Sequence, residues 1–127
     1  MREKHLFEYA VIRVIPRVER EEFLNVGVIL YCSAQDFLET AFALNEERLR
    51  TLRGDLKISE IEKHLLAFEQ ICAGGAQAGP IGKLPSGERF RWLTAPRSTI
   101  VQTSPVHTGL SSDSRETLAS LLTKLVR

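Results

Sequence analysis

The residues best suited to chemistry lie close together between Arg89 and Gly109. Three guanidinium groups and a histidine are joined there by several hydroxyl side chains. Arginine side chains beside hydroxyl groups are typical of sites that bind a phosphate or a carboxylate, and the imidazole of His107 can titrate near neutral pH. The residues expected to bind are Arg97, Ser98, His107 and Thr108, with Arg89 and Arg91 close to them in the chain.

Two prolines indicate the local structure of this segment. Pro96 and Pro105 flank a short predicted strand, residues 99–103, so the candidate binding residues are expected on turns, where binding groups are often displayed. Five strand residues span only about 17 Å, so the two turns could meet over one sheet edge. We therefore expect the four residues to converge: Arg97, Ser98, His107 and Thr108. The alternative is that each side chain hydrogen-bonds its own local backbone.

The leading hypothesis is a binding or accessory module that presents the Arg97–His107 loops to a partner protein or a small anion. A small enzyme is the second hypothesis, because His107 could act as an acid or base on a phosphate or acyl substrate. Ser98 or Ser104 could serve as the nucleophile. Neither serine lies in a G-x-S-x-G motif, so the catalytic residues stay unassigned.

A nucleic-acid-binding module is the third hypothesis, since Trp92 stands among arginines and could stack on a base. The formal net charge of +1 weighs against it. Because Phe90 and Leu93 flank Trp92, we expect this ring to lie in the core instead. No metal or cofactor is expected, because the histidines are far apart and no phosphate-binding glycine motif is present.

The elements that position these residues follow from the hydrophobic pattern. Alternating and β-branched residues predict strands over residues 8–16, 25–32 and 37–44, the last two joined as an antiparallel hairpin. The period then changes near Asn45, which is expected to cap a short helix. Helices are predicted near 59–72, with a Ser59–Glu62 capping box, and from the Asp113–Glu116 capping box to the C-terminus.

The fold class predicted from this order is α+β, with an antiparallel sheet of three to four strands packed against two main helices. Residues 1–127 are expected to form a single domain. Six residues are predicted to be nearly fully buried: Val28, Leu30, Phe42, Leu65, Phe68 and Leu121.

Composition limits the classes of protein further. Cys32 and Cys72 form no metal-ligand motif and are expected to be reduced and buried. No apolar run approaches a membrane span, and no signal segment follows Met1, so we expect a cytoplasmic protein without membrane association.

Three blocks of the sequence resemble an uncharacterised bacterial family, the domain of unknown function 3037. They are residues 9–16 leading to 22–30, residues 79–82 with 88–93, and residues 95–102 followed by 104–109. The resemblance implies no activity. It does imply a partner, since members are encoded beside kinases similar to the high-persistence toxin kinase family.

Overall fold

The computed structural model describes residues 2–127 and contains one five-stranded antiparallel sheet with helices on both of its faces. The strands are β1 (His5–Arg17), β2 (Glu22–Cys32), β3 (Phe37–Phe42), β4 (Val101–Thr103) and β5 (His107–Ser111). The α-helices are α1 (Glu46–Leu52), α2 (Ile58–Ala73), α3 (Ser86–Thr94) and α4 (Ser114–Leu125).

The sheet is built around β1. On one side β1 pairs with β2, which pairs in turn with β3. On its other side β1 pairs with both β4 and β5, which follow each other along the same edge. The β2–β3 turn is closed by a 3.1 Å hydrogen bond from Asp36 N to Ser33 O, as the predicted antiparallel hairpin requires.

Side-chain alternation along β1 gives the sheet two covered faces. Ala10, Ile12 and Val14 pack with α1, α2 and α3 in one apolar cluster, and we call this side the α2 face. Phe7 and Tyr9 pack with α4 in a second cluster, on the side we call the α4 face. The sheet therefore separates two hydrophobic cores.

The α+β class and the antiparallel sheet agree with the sequence prediction, but the counts of elements differ. The sheet has five strands, and four α-helices are present rather than two main ones. The prediction missed β5 because its residues, His-Thr-Gly-Leu-Ser, have weak strand propensity. Pairing with β1, in the register Tyr9↔His107 to His5↔Ser111, holds these residues in an extended strand that their own propensity does not favour.

Two of the predicted helix caps are confirmed. The side chain of Asn45 accepts a hydrogen bond from Arg48 N, which starts α1. Asp113 accepts one from Glu116 N in the same way and starts α4. Each cap satisfies a backbone N–H that the first helical turn leaves free.

The predicted capping box of α2 is wrong. This helix begins at Ile58, after Lys57, whose side chain makes no capping hydrogen bond. Ser59 therefore lies inside the first turn. Burial of Ile58 adds an apolar contact at the start of the helix, and this contact outweighs a polar cap there.

The predicted core is largely confirmed. Val28, Leu30, Leu65 and Phe68 are buried. Phe42 and Leu121 are only half-buried, because Phe42 ends the edge strand β3 and Leu121 lies beside the buried stripe of α4. Both cysteines are free thiols and buried, as expected. Within residues 2–127, the helices are all too short or too polar to span a bilayer.

Candidate functional site

Arg89 has its guanidinium group engaged by the backbone. Nη1 donates to the carbonyls of Ile71 at 2.8 Å and Cys72 at 2.6 Å, and Nε donates to the carbonyl of Leu84 at 2.9 Å. These carbonyls belong to the last turn of α2 and to the loop before α3. Arg89 therefore ties three segments together, which is the local-backbone alternative considered for the candidate residues.

Arg91 points to the sheet instead. Its guanidinium forms a two-point ion pair with Glu8 on β1, with N–O distances of 2.6 and 3.2 Å. The hydrogen bond and charge of Glu8 raise the pKa of Arg91. Glu8 is the cross-strand partner of Thr108, so Arg91, Glu8 and Thr108 lie together on the α2 face at the β5 edge.

Arg97 lies beyond the end of α3, where its guanidinium stands 4.7 Å from the centroid of the Trp92 ring and donates to the Trp92 carbonyl. The expectation that Trp92 lies in the core is wrong, since the residue is 41% exposed. On the helix, Phe90 and Leu93 face the core and Trp92 points away from it. Ser98 is exposed and its hydroxyl makes no hydrogen bond to any described residue.

His107 and Thr108 lie on β5 rather than on a turn. The His107 ring packs against the Tyr9 ring at a tilt of 33°, with centroids 5.3 Å apart, which places it on the α4 face. Because neighbouring strand residues point to opposite faces, Thr108 lies on the α2 face beside Glu8. The candidate residues thus form separate groups, and the strand alternation keeps His107 and Thr108 apart.

The geometry gives His107 no activated nucleophile. Within the described residues its ring forms no hydrogen bond with a hydroxyl or carboxylate. The Ser104 hydroxyl is buried, accepts a hydrogen bond from Val11 N and donates to the Pro105 carbonyl, both at 2.9 Å. Ser104 therefore joins β4 to β1, and its oxygen is not aimed at His107.

The outer edge of β5 is open. Backbone groups of the odd-numbered β1 residues face β4 and β5, since Val11 O accepts from Ser104 N and Ile15 N donates to Ile100 O. The β5 residues opposite odd-numbered β1 residues, such as Gly109 opposite Phe7, therefore direct their backbone groups inward. It follows that the N–H and C=O groups of Thr108 and Leu110 point away from the sheet.

Apolar side chains flank this open edge. Leu110 is 65% exposed, and its cross-strand partner Leu6 is 60% exposed. Both lie on the α2 face, next to Thr108 and the Arg91–Glu8 pair. These five residues are called the β5 surface below: Leu6, Glu8, Arg91, Thr108 and Leu110. Neither leucine was predicted from the sequence, because Leu6 precedes the predicted first strand, residues 8–16, and Leu110 lies on the unpredicted β5. The alternation of Thr108 and Leu110 was the available signal.

Comparison with known proteins gives one match. The model of a family of proteins of unknown function (DUF3037) matches residues 9–126. No curated protein and no solved structure matches the chain. Since the match covers nearly the whole sequence, the chain belongs to the DUF3037 family.

Proposed function

We propose that the protein is a protein-binding module that pairs an extended segment of a partner with the open edge of β5. Added strands of this kind gain affinity from backbone hydrogen bonds and specificity from side-chain contacts. The observation that carries the proposal is an uncharged edge strand with outward backbone groups and an exposed leucine pair beside it.

The composition of the edge supports this function. Proteins usually protect edge strands with lysine, proline or an inward-pointing charge. None of these occurs within β5, and the proline nearest to its start, Pro105, lies just before it. The Arg91–Glu8 pair at the border adds two charged groups that can orient a partner segment.

A kinase similar to the high-persistence toxin kinases is the first partner to test, since the family resemblance implies one. A binding role accounts for the exposed groups of β5 better than catalysis does, because His107 has no partnered nucleophile. A nucleic-acid role gains no support from Arg89 and Arg91, whose guanidinium groups are engaged by carbonyls and a carboxylate.

The test uses linear peptides selected for binding from a displayed random library. Leu110→Lys places a charge on the open edge and should weaken peptide binding at least about tenfold. Leu66→Lys is the matched control, because Leu66 is 52% exposed on α2, away from the edge. Binding is measured by titration calorimetry, and the kinase is tested with the same variants.

Nuclear magnetic resonance locates the bound peptide. The amide signals of Thr108 and Leu110 should move most, because their N–H groups would gain partners. Peptides that bind Leu110→Lys as tightly as the wild type, or that leave these two amides unchanged, would refute the proposal.

A further inference from the structure

A row of polar side chains crosses the middle of the sheet on the α4 face. Arg13 on β1 is the direct cross-strand partner of Asn25 on β2 and of Gln102 on β4. We call these three residues the polar row. All three are half-buried, and they occupy a face that elsewhere carries the apolar side chains packed against α4.

The polar row lies where α4 no longer covers the sheet. The helix ends at Leu125, whose carbonyl accepts a 3.0 Å hydrogen bond from Asn25 Nδ2. Beyond this point Phe23, on the same face of β2 as Asn25, is 46% exposed. The row therefore lies at the edge of the solvent-exposed surface, although two of its side-chain atoms, Arg13 Nε and Asn25 Oδ1, are themselves buried.

Arg13 is held in place without an acidic partner. Its guanidinium carbon lies 4.2 Å from the centroid of the Phe23 ring. None of the ion pairs formed by the described residues includes Arg13. A half-buried guanidinium group is normally paired with an anion. Arg13 therefore presents a positive charge that no described residue pairs.

Two buried atoms of the row also lack hydrogen-bond partners among the residues that the structure describes. They are Arg13 Nε, a donor, and Asn25 Oδ1, an acceptor. Buried polar atoms are nearly always hydrogen-bonded. A ligand that satisfied both atoms would have to accept a hydrogen bond and donate one next to it.

We propose that the polar row is a binding site for a small oxyanion that also carries a hydrogen-bond donor, of which hydrogen phosphate is the simplest. Because both unpartnered atoms are buried, binding requires the side chains over them to move aside. An anionic oxygen would then accept from Arg13, and the adjacent O–H would donate to Asn25 Oδ1. The Gln102 amide borders the site on β4, and the exposed Phe23 ring offers contact to any organic group attached to the anion.

This chemistry predicts discrimination between anions of similar shape. Sulfate has the charge and size of phosphate but carries no O–H at neutral pH, so it would leave Asn25 Oδ1 unpaired. We expect sulfate to bind at least about tenfold more weakly than inorganic phosphate. Glycolate and acetate are the corresponding carboxylates with and without a hydroxyl donor. Comparing the affinities of the two pairs shows whether the site binds a phosphate or a carboxylate.

The experiment follows the Nε–H signal of Arg13 by nuclear magnetic resonance while each of the four anions is added at constant ionic strength. We expect this signal to shift, and the shift to saturate, on addition of phosphate, of glycolate or of both. Gln102→Glu should abolish this binding, because the new carboxylate can pair with Arg13. Gln70→Glu, which makes the same charge change on the exposed side of α2, should not.

Arg13→Gln should also abolish binding, whereas Arg50→Gln on α1 should leave it unchanged. If Arg13→Gln fails to fold, Gln102→Glu still decides the question, since the Gln102 side chain donates to the Thr99 carbonyl at the surface and to no other described residue. The proposal is overturned if none of the four anions binds below about 10 mM, if sulfate and acetate bind as well as phosphate and glycolate, or if Gln102→Glu binds like the wild type.

Discussion

Arg89 and Arg91 lie two positions apart on α3 and have different surroundings. Arg89 donates to three backbone carbonyls, and a lysine cannot reach all three with one ammonium group. Arg89→Lys should therefore lower the free energy of unfolding by about 2–3 kcal/mol. Arg91→Lys disturbs an exposed ion pair and should cost less than about 1 kcal/mol.

Urea titrations of both variants measure this difference. Equal losses would mean that the Arg89 hydrogen bonds do not hold the end of α2 to α3. The two arginines should also differ in function. Arg91→Lys is expected to alter peptide binding at the β5 surface, whereas Arg89→Lys, measured where it is fully folded, is not.

Gly27 is required by close packing inside the sheet. A Cβ atom at this position would lie 2.5 Å from Cδ1 of Phe42 and 2.7 Å from the carbonyl oxygen of Ala41. The backbone oxygen belongs to the paired strand β3 and cannot move aside cheaply. Gly27→Ala should therefore destabilise the protein by about 1–3 kcal/mol.

The matched control is Gly54→Ala, since a Cβ there meets nothing closer than the Arg50 carbonyl oxygen at 3.9 Å. This variant should keep or slightly raise the stability. A neutral Gly27→Ala in thermal unfolding would show that β2 and β3 can separate enough to admit a methyl group.

The Cys72 thiol gives stability a dependence on pH. Burial raises the pKa of Cys72 from 9.0 to about 12, because the thiolate is poorly solvated inside the protein. The unfolded chain loses the proton at lower pH than the folded chain. Stability should therefore fall as pH rises above 9.0, by at most about 1.4 kcal/mol per pH unit, until the folded pKa is reached.

Cys72→Val isolates this effect, because all other titrating groups remain in both proteins. The difference in unfolding free energy between wild type and variant should shift against the wild type from about pH 8 to about pH 10. A constant difference would indicate that the folded protein tolerates the thiolate.

At the scale of the elements, the sequence was sufficient to predict a strand or helix wherever a single segment had a clear hydrophobic periodicity. The alternation in β1 and the helical spacing of Ile61, Leu65 and Phe68 predicted elements that the structure contains. The start of α2 was misjudged because a capping motif at Ser59 competes with the burial of Ile58. Local motifs predict such starts only when tertiary contacts do not shift them.

The candidate site was harder to predict because it depends on β5. His107 and Thr108 are neighbours in sequence, and on a turn both could point into one site. Once β5 pairs with β1, the pleat of the strand turns the two side chains to opposite faces. The polar row was missed for a related reason, since Arg13, Asn25 and Gln102 become neighbours only through the register of three strands.

At the scale of the whole molecule, the two cores share the strands between them. Residues of β2 alternate between the clusters, with Ile29 on the α2 face and Leu30 on the α4 face. An ion pair between Arg115 and Glu39 and the bond from Asn25 to Leu125 fix the two ends of α4 to this sheet. Loss of either helix layer would expose one face of the same strands, so we expect both cores to unfold together.

Leu122→Ala tests this coupling, because Leu122 lies on the buried side of α4 while Trp92, the only tryptophan, lies on α3 across the sheet. The substitution should lower the unfolding free energy by about 2–4 kcal/mol. If the molecule unfolds as one unit, the urea midpoint from Trp92 fluorescence should fall as far as the midpoint from far-ultraviolet circular dichroism. Phe68→Ala on the α2 face is the reciprocal variant and should cost about 3–5 kcal/mol, again with coincident midpoints. A Leu122→Ala protein whose dichroism midpoint falls while its fluorescence midpoint stays unchanged would show that the α4 layer melts separately from the rest.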